Sequence, residues 1–255
     1  MLGVQVNHLL MKYEFIRLYS TSSTNDVLRS HPYKDTDTAT VAVADYQTAG
    51  RGQAGNKWES ERGKNLLMSI LTFPQNVAVA DQYVLSMAGA LALKATLDKF
   101  ADGIALKWPN DIYWHDRKIS GTLIETTVKG KLLERCIFGI GLNINQRSFH
   151  SDAPNPVSLY NIIGKETPLD DVLNIVTEKF DAYYDRAVSG DIDRLCYEYN
   201  AVLYRRDGIY TYEDCRTGEI FRARIKRVDR NGLLHLTDTD ATEREYWMKE
   251  VRFIV

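Results

Sequence analysis

Between residues 81 and 100 the apolar residues Val84, Met87, Ala88, Leu91 and Ala95 recur at three- and four-residue intervals, the spacing that gathers side chains on one face of an α-helix. This predicts a core-facing helix with Gly103 as its stop. Elsewhere the apolar residues fall in short runs that suit strands: residues 13–19, residues 40–44, NLLMSILTF at 65–73 and RCIFGIGLNI at 135–144. The polar stretch STSSTND at 20–26 offers several N-cap side chains ahead of Val27 and Leu28, so a helix is expected there. Pro168 stands at the expected first turn of another amphipathic helix, carrying Val172, Ile175, Val176, Phe180 and Tyr183. From Gly208 onward the pattern changes to short alternating runs, IYTY, IFRARIKRV and LLHLT, with Asn231-Gly232 as a hairpin turn. Together these elements predict an α+β fold, a mixed sheet with helices in residues 1–204, followed by a compact β barrel in residues 205–255.

Composition narrows the function. A net charge of -2 over 255 residues leaves no overall basic footprint for nucleic acid, so any phosphate chemistry must be local. The N-terminus has no long apolar segment behind basic residues, which argues against export and membrane insertion and makes the cytoplasm the expected compartment. Cys136, Cys196 and Cys215 are odd in number and far apart, unlike a disulfide framework or a zinc cluster. The five histidines lack metal-ligand spacing, and no Gly-x-Ser-x-Gly elbow is present.

Local chemistry concentrates in two segments. Residues 106–125, LKWPNDIYWHDRKISGTLIE, combine a Pro109-Asn110-Asp111 turn with Lys118 and Gly121, as expected of a strand-turn-strand site for an anionic ligand. The Lys118 ammonium could neutralise a carboxylate and a phosphoryl oxygen together, and Asn110 and Asp111 could orient it or reach a nucleotide-borne Mg²⁺ through water. The second segment, GRGQAGNKW at 50–58, places Gly50, Gly52 and Gly55 between two expected strands, where backbone N–H groups could cradle phosphate. It is neither a Walker A loop nor a dinucleotide fingerprint. Arg51 adds a fork of donors, and Trp58 an aromatic face for a base. Gly139 and Gly141, inside the expected strand 135–144, mark positions where a ligand or another chain segment comes close.

In their order and spacing Ser23-Thr24-Asn25, Gly50-Arg51-Gly52 through Trp58, Lys107-Trp108-Pro109-Asn110-Asp111, Lys118-x-x-Gly121 and Gly139-x-Gly141-x-Asn143 resemble the biotin protein ligase family over nearly the whole chain. The resemblance implies a class II synthetase-like catalytic domain followed by a small SH3-like barrel. It also implies a two-step reaction: biotin and MgATP form biotinyl-5′-adenylate, and a lysine of a biotin carboxyl carrier domain then takes the biotinyl group. By the same resemblance the biotin contacts fall on Ser23, Thr24, Asn25, Gln47, Gly50, Arg51, Gly52, Lys118, Gly121 and Gly139. The ATP or adenylate contacts fall on Gln53, Asn56, Trp58, Asn110, Asp111 and Asn143, with Lys118 and Arg51 as catalytic residues and Mg²⁺ brought by the nucleotide near Asn110 and Asp111.

Two departures alter the expectation. Many relatives carry more arginines in the glycine loop, where this chain has Gln53 and Asn56, so Arg51 and Lys118 are expected to carry more of the electrostatic load. About twenty residues precede the Ser-Thr-Asn motif, fewer than a helix-turn-helix domain needs, which suggests a monofunctional enzyme without a DNA role. The rival readings are a lipoate or octanoate ligase or transferase, whose usual Arg-Arg-x-x-Gly-Gly type motif is missing, and a non-catalytic biotin sensor or repressor.

Overall fold

The computed structural model describes residues 11–32, 35–151 and 154–254. Seven strands form the main sheet: β1 (Lys12–Leu18), β2 (Thr38–Ala44), β3 (Leu66–Thr72), β4 (Ile104–Lys107), β5 (Asp111–Trp114), β6 (Arg117–Lys129) and β7 (Leu132–Leu142). Their spatial order is β1-β2-β3-β7-β6-β5-β4; β1 and β2 run parallel and every other neighbouring pair is antiparallel. The sheet is therefore mixed, as expected.

Helix α1 (Thr24–Ser30) covers one face of this sheet, where Leu28 meets Ala42, Leu71 and Ile137. On the other face β3 and β7 send Leu66, Met68, Ile70, Phe138, Ile140 and Leu142 into the main core. Helix α2 (Gln82–Leu97) and helix α4 (Leu169–Val188), which follows the short α3 (Leu159–Ile163), pack there with helix α5 (Ile192–Ala201). Because a strand alternates faces, the partners of those core residues look towards α1, and three of them have almost no side chain. Gly121 pairs with Gly141, while Gly139 lies between Ser69 and Leu123 across the strands. A nearly bare patch of backbone results, beside the N-terminus of α1.

A second, antiparallel sheet follows, built from β8 (Tyr210–Asp214), β9 (Ile220–Val228), β10 (Leu234–Asp238), β11 (Glu243–Tyr246) and β12 (Val251–Phe253) in the order β11-β10-β9-β8-β12. Its buried Tyr212, Phe221, Leu236 and Tyr246 join the main core, so the two units share one apolar interior. Polar contacts reinforce the junction. Trp108 Nε1 donates to the Gly232 carbonyl at 3.0 Å, Asn200 Nδ2 donates to the Val228 carbonyl at 2.9 Å, and Arg230 pairs with Asp81 at 2.5 Å.

Several local expectations need correction. Helix α2 stops at Leu97, before Gly103, which instead adopts φ +81° ahead of β4. Pro168 is the N-cap of α4 and not a residue of its first turn. Residues 106–125 span parts of three strands, because a second turn at His115 and Asp116 separates β5 from β6. Helices α3 and α5 and strands β11 and β12 have no counterpart in the sequence reading. Helix α3 and the two strands are only three to five residues long, and α5, though amphipathic, is ten residues long and fully buries only Leu195 and Tyr199.

Candidate active site

The bare patch forms the floor of a cavity closed by the glycine loop, the 109–111 turn and, from the C-terminal sheet, Met248 and Lys249. Along one wall runs a neutral hydrogen-bond network. Gln47 Oε1 accepts from the Thr24 backbone N–H at 2.8 Å and from Thr24 Oγ1 at 3.2 Å. Ser69 Oγ lies 2.6 Å from both Thr24 Oγ1 and Asn25 Oδ1. Thr24, Asn25 and Ser69 are buried and bonded within this network, so their orientations are fixed before any ligand enters, and Ser23 is buried beside them. Gly139 is required here: a Cβ would run into the Asn25 side chain.

At the opposite end Lys118 Nζ stands 2.6 Å from Asp111 Oδ1 and 5.7 Å from the centre of the Trp58 ring. The Trp58 indole lies directly over Gly141, where a Cβ would overlap it, and beside Gly121, where a Cβ would come within 3.1 Å. The Asn110 side chain donates to the Thr122 carbonyl at 2.6 Å, and the Thr122 N–H returns a bond to the Asn110 carbonyl at 3.0 Å. That exchange pins the turn to β6 and points Asp111 at Lys118. Proline 109 enters this turn through a cis peptide bond, and its carbonyl accepts from Tyr83 Oη at 2.8 Å.

Beyond Trp58 a second cavity continues along Lys107, Tyr113 and Asn143. Asn143 is buried and donates to the Val157 carbonyl at 3.1 Å, but among the described residues its Oδ1 has no hydrogen-bond partner, and neither has Trp58 Nε1. Buried polar atoms left unpaired cost free energy, so a polar ligand has something to gain here. Lys107 stacks 5.0 Å from the centres of the Tyr113 and Phe253 rings. Burial pushes its ammonium pKa below the ordinary lysine value; Asp111 opposes the shift, while Lys118 and Arg205 add to it.

The cavity thus gathers Ser23, Thr24, Asn25, Gln47, Arg51, Gly52, Gln53, Asn56, Trp58, Asn110, Asp111, Lys118, Gly121 and Gly139. Gly50 and Asn143 do not line it. Gly50 packs under Trp58, whose carbonyl oxygen would be 2.9 Å from a Cβ there, and Asn143 belongs to the adjoining cavity. Two readings of the glycine loop change. Three of its N–H groups are taken up within the loop itself: Gly52 donates to the Asn56 carbonyl, Asn56 to Gln53 and Trp58 to Gly50, making a small hairpin. Arg51 also faces carboxylates, Asp26 at 2.8 Å and Glu125 at 3.6 Å, with Arg29 joined to the same two acids. The sequence reading missed Ser69, Met248 and Lys249, and named Lys107 within its motif without giving it a role. A serine inside the apolar run NLLMSILTF was the available signal for the first.

The biotin/lipoate A/B protein ligase family model matches residues 18–143, a span that contains every site residue named from the sequence. It is through this segment that the chain resembles the biotin/lipoate A/B protein ligase family. Among members of that family, the chain is 33% identical over 150 residues to the biotin–[acetyl-CoA-carboxylase] ligase of Mycobacterium tuberculosis, covering 56% of this chain and 53% of that protein. It is 30% identical over 175 residues to biotin–protein ligase 2 of Arabidopsis thaliana, covering 64% and 50%. Identity to the bifunctional ligase/repressor BirA of Escherichia coli is 37% over 117 residues, 45% of this chain and 36% of BirA. The matched portions thus span only about a third to a half of these curated relatives. The fold extends the likeness to the C-terminal sheet. The biotin protein ligase of Aquifex aeolicus in complex with biotin and ATP superposes with a TM-score of 0.78 at 23% identity, covering 94% of this chain and 99% of that one. The Leishmania major biotin protein ligase in complex with biotinyl-5-AMP gives 0.64 at 24%, covering 92% and 98%. The architecture is that of a biotin ligase fold with an SH3-like C-terminal unit.

Proposed function

We propose that this protein activates biotin with ATP as biotinyl-5′-AMP and transfers the biotinyl group to a lysine of a biotin carboxyl carrier domain. The observation that carries the reading is one cavity with a fixed, neutral polar wall at one end and the Lys118–Asp111 pair at the other, bridged by bare glycine backbone. A ureido ring presents both donors and acceptors, and the Ser23, Thr24, Asn25 and Gln47 wall offers such groups in a set orientation. An octanoyl chain or a dithiolane ring would bring no donor or acceptor to that wall and leave its remaining hydrogen-bonding capacity unused, which a polar site penalises. The wall therefore favours biotin over lipoate or octanoate.

In the first half-reaction a biotin carboxylate oxygen attacks the α-phosphorus of ATP, and the bond to pyrophosphate breaks. Lys118 stands where it can neutralise the carboxylate on approach and the phosphoryl oxygen as charge develops, a stabilisation that needs no reorganisation of water. Asp111 holds the ammonium in place until the anion arrives. In the second half-reaction the carrier lysine amine, having lost a proton, attacks the carboxyl carbon and AMP leaves. We place the adenine side along Trp58 and Asn143, whose orphaned Nε1 and Oδ1 could pair with a base or its ribose. Among the described residues no cluster of three or more potential metal ligands occurs. The residues fit a Mg²⁺ that arrives on the nucleotide and takes one or two protein oxygens, those of Asp111 and Asn110. Such an ion supplies charge neutralisation on the phosphates.

The proposal includes a cytoplasmic setting, where ATP is plentiful; the three cysteines are unpaired, and no helix among the described residues is long and apolar enough to cross a membrane. A direct test mixes the protein with MgATP, biotin and a purified carrier domain and reads the carrier's intact mass. The carrier should gain one biotinyl group, and none when its acceptor lysine is replaced by arginine. An unmodified carrier would refute the transfer step.

A further inference from the structure

Glu59, the residue after Trp58, ties the glycine loop to the segment that follows Asn145. Its Oε1 accepts from the backbone N–H of His150 and its Oε2 from that of Ser151, each at 2.8 Å, and Gln146 Nε2 approaches Oε1 at 3.3 Å. Gln146 is only 2% exposed and is held from the other side: its Oε1 accepts from Asn65 Nδ2 at 2.6 Å and from the Glu61 N–H at 2.9 Å. Phe149, His150 and Ser151, carried on this segment, line the cavity that also contains Trp58 and Asn143. Burial raises the pKa of the Glu59 carboxyl, but the hydrogen bonds from Ser151 and His150 outweigh it and leave the group below the ordinary glutamate value, hence ionised.

We infer that Glu59 is a positioning residue that latches residues 146–151 in place as the outer wall of the nucleotide side of the site. The inference rests on the reading of that cavity as the adenylate side. Two adjacent backbone N–H groups, each taken by a different oxygen of one side chain, need a forked acceptor with no donor of its own. Glutamine supplies one oxygen and turns an N–H towards the other donor; alanine supplies nothing. Since the latch sits next to Trp58 and away from the Ser23–Gln47 wall, its loss should be felt by nucleotide and not by biotin.

The test uses the full chain with Glu59→Gln, which keeps the shape of the side chain, and Glu59→Ala. Hydrogen exchange of the ligand-free proteins should show the His150 and Ser151 amides exchanging roughly tenfold faster or more in both variants, the scale of one lost charge-assisted hydrogen bond. In adenylate formation KM for MgATP should rise about tenfold while KM for biotin stays within about twofold. Unchanged amide exchange in Glu59→Gln would overturn the latch. Faster exchange with unaltered KM for MgATP, or an equal rise in both KM values, would overturn its positioning role. The exchange measurement needs no substrate, so it decides the latch even if the unaltered protein activates no acid at all and the proposed function itself fails.

Discussion

At the inner wall of the cavity Thr24, Asn25, Gln47 and Ser69 are neutral, largely buried and bonded to one another at 2.6–3.2 Å. Around it Lys118 and Arg51, which line the cavity, are charged and partly exposed, Lys118 paired with Asp111 at 2.6 Å and Arg51 with Asp26 and Glu125 at 2.8 and 3.6 Å. The wall is finished before a ligand arrives, so its contribution is selectivity, and any atom removed from it leaves a buried partner unsatisfied. The charged groups must exchange partners to work. Each of these cations currently rests on a carboxylate, and partly exposed pairs of this kind contribute little to stability, so giving one up to a phosphate costs little. Preorganised neutral recognition and the exchangeable Lys118–Asp111 pair sit at opposite ends of one bare glycine floor, while the Arg51–Asp26 pair stands beside the wall at the start of α1.

The largest effect that could break this contrast is at Lys118. Lys118→Ala should slow adenylate formation in single turnover by about 10²–10³ while leaving biotin affinity far less changed, the scale seen when one transition-state donor is removed. An equal loss in both would make Lys118 a general binding group. Next comes Ser69→Ala, which strips two bonds from the buried wall. Calorimetry should record biotin binding weaker by about 1–3 kcal/mol, the cost of unsatisfied buried groups. Gly141→Ala should displace the Trp58 indole at a cost of about 1–3 kcal/mol, the usual penalty of overpacking, and raise KM for MgATP more than KM for biotin. The smallest change is expected from Asp26→Asn, which removes one carboxylate from Arg51. It should lower KM for MgATP by no more than about fivefold at low salt, an advantage that fades at high salt. A rise would mean that Asp26 holds Arg51 in its working position.

How much of this was legible in the sequence varies with the range of the contact. The strands that build the sheet carried their signal in apolar runs, and Gly121, Gly139 and Gly141 could be read as positions of close approach. What approaches them, Trp58 and Asn25, depends on the pairing of β3, β6 and β7, which no local pattern states. The glycine loop was legible as special chemistry, but its backbone closes into a hairpin, a choice fixed by bonds such as Gly52 to Asn56 that spacing alone does not reveal. Asp26 and Glu125 are ordinary surface acids in sequence and become the partners of Arg51 only once α1 meets β6. Met248 and Lys249 reach the cavity from the far end of the chain through docking of the second sheet, and β11 and β12 that flank them are too short and too charged to announce themselves.

The central claim, that the wall selects biotin and the charged groups activate it with ATP, is tested most directly by mass spectrometry of the small-molecule products after the protein meets MgATP and an equimolar mixture of biotin, lipoate and octanoate. Biotinyl-5′-AMP should form with little lipoyl or octanoyl adenylate. Predominant lipoyl- or octanoyl-AMP would contradict the role given to the polar wall, and the absence of any acyl-adenylate would contradict the activation chemistry assigned to Lys118 and its neighbours.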